Sequence, residues 1–341
     1  MRQMVQWAGR SAESVLVLAA GLWCAGTIGF HLDGAARWLA LCAVVVSVLW
    51  LLIALWRGSE RAHVWSGLVF LLVLLAVSMG WNRIRPSQDR HWADDVARRL
   101  QVSSFDGRHV VLDNVRNFDW RGEADYDVAW ETRQYDLDQL RSADLFLSYW
   151  MGPAIAHTLV SFGFADGRQL VFSLEIRKEQ DEQFDALAGF FRRYEMILVA
   201  SEERDIIRVR SNVRGEQVDV YRIAALKPPA LRQLFIAYLD QAQALDKAPA
   251  FYNTLTSNCT TIVWELARTI APALPLDWRL LASGYLADYV HDLGGLTPGY
   301  SLAQLQEAAR ITERAAAADQ ADDFPQRIRQ GVPGMDQEDQ Q

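Results

Sequence analysis

His157-Thr-Leu-Val-Ser-Phe-Gly-Phe164, Ala165-Asp166-Gly167 and Gln169-Leu-Val-Phe-Ser-Leu-Glu-Ile176 follow one another near the middle of the chain. The outer runs are rich in β-branched and aromatic residues, and Asp-Gly marks a reversal between them. The segment predicts a β-hairpin. Its register depends on the loop. A three-residue loop with Gly167 in the left-handed conformation pairs Phe164 with Arg168 and sets His157 opposite Glu175 on the same face. A two-residue Asp-Gly turn pairs His157 with Ile176 and turns Glu175 away. The sequence leaves both registers open.

Working outward, strands are expected over residues 195–200, 206–210 and 217–223, with a helix over 181–194. Pro228 and Pro229 open a helix to about Ala244, with Leu231, Leu234, Phe235, Tyr238 and Leu239 on one side. Then comes the polar run Tyr252-Asn-Thr-Leu-Thr-Ser-Asn-Cys-Thr-Thr261. The helical pattern Ile262, Val263, Trp264, Leu266 follows at once, so Cys259 falls in the first turn of a helix. Short helices are expected over 276–310, and strand and turn over 108–150. Residues 108–312 therefore read as one α+β domain. From 313 to 341 the chain is mostly Ala, Asp, Gln, Pro and Gly, a composition expected to stay disordered.

The first quarter is different. Apolar runs cover about 12–30, 38–56 and 64–81, each near the roughly 20 residues that span a bilayer. Glu13, at a boundary, is their sole Asp, Glu, Lys or Arg, and Trp23, Trp38, Trp50, Trp56, Trp65 and Trp81 lie mostly near the ends. Residues 1–81 read as three transmembrane helices, and 82–107 as a linker with a short amphipathic helix carrying Trp92, Val96 and Leu100. The first run is longer than a signal-peptide core and lacks a small-x-small cleavage site. Short-loop positive charge (Arg2, Arg10, Arg57, Arg61) places the N-terminus inside and the C-terminal domain outside; Arg83, Arg85 and Arg90 argue the other way. The expected location is a bacterial inner membrane with a periplasmic domain. The net charge of −8 gives no footprint for nucleic acid.

Cys24 and Cys42 fall in membrane segments, which leaves Cys259 without a soluble partner for a disulfide. At a helix start, unpaired N–H groups and the helix dipole favour a thiolate. Such a nucleophile needs a base and a group that orients the base. Among six histidines, His157 at the strand start is the candidate base, and Glu175 the candidate orienting acid if the three-residue loop forms. The plainer readings are an inert thiol, a hydrogen-bonded histidine, and Glu175 paired with Arg177 or Arg210. Glu203, Arg204, Asp205 and Arg208 read as a structural ion-pair network. There is no HExxH, CxxC, Walker A or GxSxG pattern, so neither a metal nor a cofactor is expected.

The segments Ala156-His157-Thr158, Ser173-Leu-Glu175-Ile-Arg177, Tyr194-Glu195, Glu203-Arg204-Asp205 and Tyr252 to Thr261 resemble the DUF4105 family, in family order over about residues 115–290. That family is named for the N-terminal periplasmic domain of Lnb, a lipoprotein N-acyltransferase. The resemblance implies a permuted papain-like (NlpC/P60-related) thiol fold with the histidine strand before the cysteine helix. It carries the nucleophile onto Cys259, the base onto His157 and an acidic position onto Glu175, with Tyr252 or Asn258 as oxyanion contributors. In the namesake the membrane helices follow the domain; here three precede it. The expected function is thiol acyl transfer from a membrane lipid or lipoprotein ester to an amine, such as a lipoprotein N-terminus. The alternatives are a cysteine amidase or peptidase acting on peptidoglycan or peptide, and a non-catalytic membrane-anchored binding protein. The sequence does not define an oligomeric state.

Overall fold

A computed structural model describes residues 2–335. The chain divides into two compact units, residues 1–87 with 185–193, and residues 88–184 with 194–341. The first unit holds α1 (Arg2–His31), α2 (Gly34–Arg57) and α3 (Glu60–Arg83), each long and apolar enough to cross a membrane. Its small core is made by Val17, Cys24, Val44, Leu51 and Phe70. Gly21 allows close approach of α1 and α2, since a Cβ there would lie 2.8 Å from Val48 Cγ2. Leu16, Leu22, Val46, Ile53 and Leu72 face outward, a surface suited to hydrocarbon rather than water. Residues 185–193 form only a 3₁₀ turn at Ala188–Phe190, not the helix expected over 181–194. The Asp185 carboxylate takes the Leu187 N–H at 2.8 Å, and Arg192 has φ +55°, so local polar bonding outweighs the helical pattern.

The second unit is built on a large sheet. Its strands are β1 (Gln101–Phe105), β2 (His109–Arg116), β5 (Trp130–Asp136), β6 (Leu140–Tyr149), β7 (Ala156–Phe164), β8 (Gln169–Arg177), β9 (Glu195–Ser201) and β10 (Gln217–Arg222). A separate ribbon pairs β3 (Asp119–Gly122) with β4 (Asp125–Asp127). The order in the large sheet is β1-β2-β9-β8-β7-β6-β10, with β5 also on β2. The unit begins earlier than the expected boundary at 108. In place of an amphipathic helix before β1 there is one 3₁₀ turn, Asp94–Val96. Arg177 explains the difference: its guanidinium donates to the Val96 and Ala97 carbonyls and lies over the Trp92 ring at 4.4 Å. Those carbonyls are satisfied without a helix.

Both sheet faces are covered, which is why the central strands read as nearly continuous apolar runs. On one face Val160, Phe162, Phe172 and Leu198 pack against α5 (Pro228–Lys247) and α6 (Cys259–Arg268). On the other, Phe146, Leu159, Val171 and Val220 pack against Ile206 and Ile207 of α4 (Glu203–Arg208). The β-branched run at 206–210 is thus helical, not a strand, and continues as a π turn at Val209–Val213. Tertiary bonding explains this too: the α4 carboxylates Glu203 and Asp205 are held by Arg329 and Arg116. Beyond α7 (Leu286–Asp292) and α8 (Leu302–Ala309), the segment expected to be disordered is folded through 335. It forms α9 (Thr312–Ala317) and α10 (Phe324–Arg327), and buries Ala315, Phe324, Ile328 and Val332 against the second face. Arg329 reaches Asp144 at 2.9 Å and Glu203 at 2.5 Å. A few well-spaced anchors and one buried guanidinium outweigh the polar average composition. The end of the expected disordered segment, 336–341, lies outside the described residues.

Candidate active site

The β7–β8 hairpin takes the three-residue register. The Phe164 N–H donates to the Arg168 carbonyl, Gly167 has φ +86°, and the ladder runs from Gly163↔Gln169 to Leu159↔Ser173. A left-handed glycine of this kind closes such loops without a Cβ penalty. Two residues beyond the end of the ladder, His157 and Glu175 oppose each other. His157 Nε2 lies 2.7 Å from Ser173 Oγ and 3.2 Å from Glu175 Oε1. Ser173 Oγ donates to Glu175 Oε1 at 2.7 Å, and Arg210 from the π turn donates to the same oxygen at 2.8 Å. Glu216 lies on the far side of Arg210 at 3.4 Å.

The cysteine reaches this point from the α5–α6 face. Ala250 and Tyr252 are tied to β9 through Met196 N–H to the Ala250 carbonyl and Tyr252 N–H to the Tyr194 carbonyl. The Asn253 carboxamide oxygen then accepts from the Leu255 and Thr256 N–H groups and turns the chain. Asn258 caps α6: its Oδ1 accepts from Thr260 N–H and Thr261 N–H, both at 2.9 Å, while Thr261 Oγ1 accepts from Asn258 N–H. Cys259 is the first helical residue and is buried. Its Sγ lies 3.9 Å from Thr260 Oγ1, and that hydroxyl pairs with Thr158 Oγ1 at 2.9 Å. His157 and the Thr158 N–H lie near enough to the thiol to act on its charge state.

The electrostatics follow from these contacts. Burial opposes the charged imidazole, but Glu175 and then Cys259 outweigh burial and the Arg210 charge, pushing His157 up to about 9. Burial likewise raises Glu175, yet His157, Arg210 and the Ser173 hydroxyl hold it well below the usual carboxylate range. Burial raises the Cys259 thiol, while His157, the Thr158 N–H and the Thr260 hydroxyl bring it below an ordinary thiol. Tyr252 is raised by burial and by the charges of Cys259 and Glu175.

The structure thus brings Cys259, His157, Glu175 and Tyr252 together. The Asn258 side chain holds the helix start: its Oδ1 accepts within the cap and its Nδ2 donates to the Thr254 carbonyl. Ser173, Thr158, Thr260 and Arg210 were not selected from the sequence as site residues. Ser173 was within reach, since a residue two before Glu175 shares its face. The Thr158–Thr260 contact joins elements about a hundred residues apart and leaves no local signal. Glu203 and Asp205 form buried pairs with Arg329 and Arg116, and Arg208 pairs with the part-exposed Asp319. Among the described residues no grouping of His, Cys, Asp or Glu is suited to a metal ion.

A mixed α+β domain, preceded in the chain by three membrane-length helices, carries a buried cysteine at a capped helix start and a histidine–carboxylate pair. Residues 126–284 match the family described as the Lnb N-terminal periplasmic domain, a span that contains every residue of the site, and a domain of that kind is present here. No curated protein matches the chain. No solved structure matches it.

Proposed function

We propose that this chain is a membrane-anchored thiol acyltransferase with Cys259 as nucleophile, His157 as base and Glu175 as the group that orients the base. The observation that carries the reading is the convergence of the helix-start thiol and the Glu175-held imidazole at the open end of the β7–β8 ladder. With Nε2 engaged by Ser173 and Glu175, Nδ1 is the nitrogen left to exchange a proton with sulfur. His157 takes the thiol proton, and the thiolate attacks the carbonyl carbon of an acyl ester. A C–S bond forms, the ester C–O bond breaks, and the imidazolium returns its proton to the leaving alkoxide. An amine then attacks the thioester. A C–N bond forms, the C–S bond breaks, and His157 removes the proton the amine loses. The Cys259 N–H, which has no intrahelical partner at the first helical position, faces the developing oxyanion, with the Tyr252 hydroxyl as second donor.

The histidine strand precedes the cysteine helix, as in a permuted papain-like arrangement, and the short-loop charge favours a periplasmic domain of an inner-membrane protein. The three anchoring helices and the family's name favour a lipid or lipoprotein ester as donor and a lipoprotein N-terminus as acceptor. The test is transfer by the full chain in phospholipid nanodiscs to a synthetic diacylated lipopeptide with a free N-terminal amine. Mass spectrometry should find one added acyl chain with the unaltered protein and none with Cys259→Ala. Cleavage of peptidoglycan peptides without acyl transfer would replace this reading with an amidase. Equal transfer by Cys259→Ala would remove the thiol from the mechanism.

A further inference from the structure

One flank of α6, the helix that begins with Cys259, does not pack fully against protein. Thr260, Val263, Trp264 and Ala267 recur at helical spacing and line a cavity of about 260 Å³, closed on its other sides by residues such as Leu286 and Val290 of α7. Its lining contains no Asp, Glu, Lys, Arg, His, Asn or Gln. The polar atoms it does contain are occupied. Trp264 Nε1 donates to the Tyr289 hydroxyl at 3.2 Å, and that hydroxyl donates to the Pro275 carbonyl at 2.8 Å. Thr260 Oγ1 is paired with Thr158. A cavity that offers a ligand neither charge nor a free hydrogen-bonding group selects hydrocarbon, and water gains little there.

Position adds direction. Thr260 belongs to both places: its hydroxyl lies 3.9 Å from Cys259 Sγ, and its side chain forms part of the cavity wall. The lining residue Leu293 is 46 % exposed. Leu276, Trp278 and Leu281, which flank the lining residues Leu274 and Leu280 in the chain, are exposed as well. An apolar chamber that shares Thr260 with the surroundings of the nucleophile and includes the exposed Leu293 in its lining suits a long chain anchored at one end.

We infer that the cavity along the α6 flank is the binding site for the aliphatic chain of the acyl group, holding the chain while its carbonyl lies at Cys259. This rests on the thiol acyltransferase reading for what stands beside Thr260; the selection of a hydrocarbon rests on the cavity itself. Ala267 is the pivotal position. It is the smallest side chain on the α6 wall, so a tryptophan there fills the chamber without touching the site groups.

The test uses the full chain carrying Cys259→Ala, so that lipid binds without turnover. It is placed in nanodiscs containing phosphatidylethanolamine whose palmitoyl chain bears a diazirine near its methyl end. A parallel sample receives diazirine-bearing free palmitate. After irradiation, peptide mapping should find adducts on Val263, Ala267, Leu286 or Val290, and adding Ala267→Trp or, further along the flank, Ala271→Trp should reduce them by about tenfold. The alkylation rate of Cys259, measured with each tryptophan on the unaltered thiol, shows that the fold persists. Labelling by the phospholipid identifies a membrane lipid as the source; labelling by palmitate alone identifies a free fatty acid. Adducts confined to α1–α3 with both probes would overturn the inference. Intact-mass analysis of the unaltered chain in the same nanodiscs reads the thioester separately: a fatty-acyl thioester on its Cys259 with no labelled flank in the Cys259→Ala chain would overturn the inference while leaving the proposed function intact, and a labelled flank with no thioester would do the reverse.

Discussion

Replacing Glu175 by Gln removes one negative charge from the site while preserving its shape. His157 titrates near 9 against an ordinary 6.5, a preference for the charged imidazole of roughly 3 kcal/mol. Glu175 is its main source, and Arg210 opposes it. In Glu175→Gln the largest raising charge is gone while Arg210 still lowers the imidazole, so His157 falls toward its ordinary value, held up only by Cys259. Cys259 then loses the imidazolium that holds the thiol down. Each lost ~1.4 kcal/mol of pairing lowers the thiolate fraction on the acid side about tenfold. With the imidazolium as the main lowering charge on the thiol, a change of tenfold to on the order of hundredfold is expected. The assay is iodoacetamide alkylation of the purified full chain across pH, read by peptide mass spectrometry at Cys259. The unaltered protein should react at lower pH than free cysteine does. Glu175→Gln should be slowed in mildly acidic buffer and should converge with it in alkaline buffer. Ser173→Ala, which removes a hydroxyl but no charge, should shift the profile less. Superposable profiles for Glu175→Gln and the unaltered protein would refute the argument that Glu175 sets the charge state of the pair.

The same pair makes local stability depend on pH. The raised His157 contributes stability that is complete below about 6.5 and is lost as pH rises through about 9. The depressed Glu175 contributes stability present above its ordinary 4.5 and lost as acid protonates it. Hydrogen exchange of the β7–β8 hairpin should therefore be slowest between those limits. Asn258→Ala, which strips both N–H bonds of the α6 cap, should cost about 1 kcal/mol in a thermal or denaturant unfolding measurement, and Asn258→Asp should recover most of it. Arg329→Met leaves Asp144 and Glu203 buried beside an uncharged side chain. It should destabilise the second unit by roughly 3–5 kcal/mol and expose residues 312–335 to limited proteolysis.

Local chemistry explains what could be read in advance. The hairpin was visible because β-formers flank Ala165-Asp166-Gly167, and its register turned on a single glycine, which φ +86° resolves in favour of His157 facing Glu175. The α6 start was visible because Asn258 and Thr261 are capping residues placed just before an apolar helical pattern. The α5 helix was marked by its prolines and apolar stripe, and the three N-terminal helices by length without charge. What escaped was set by distant partners. Arg177 claims carbonyls some eighty residues away and removes a helix before β1. Arg116 and Arg329 claim the α4 carboxylates and turn a strand-like sequence into a helix. Arg329 together with Phe324 and Ile328 folds a segment whose composition alone favours disorder. At the site, the thiol, the base and the acid were legible as residue types in local settings. The part played by the Thr158 N–H and the Thr260 hydroxyl in lowering the thiol was not, because Thr158 comes from a strand far away in the chain.

The central claim is that Cys259 carries an acyl group as a thioester. Intact-mass analysis of the full chain after incubation with phospholipid, before and after neutral hydroxylamine, tests it directly. The account predicts a fatty-acyl mass increment that maps to Cys259, disappears on hydroxylamine treatment and is absent from Cys259→Ala. An increment that survives hydroxylamine, maps elsewhere or persists in Cys259→Ala would contradict it.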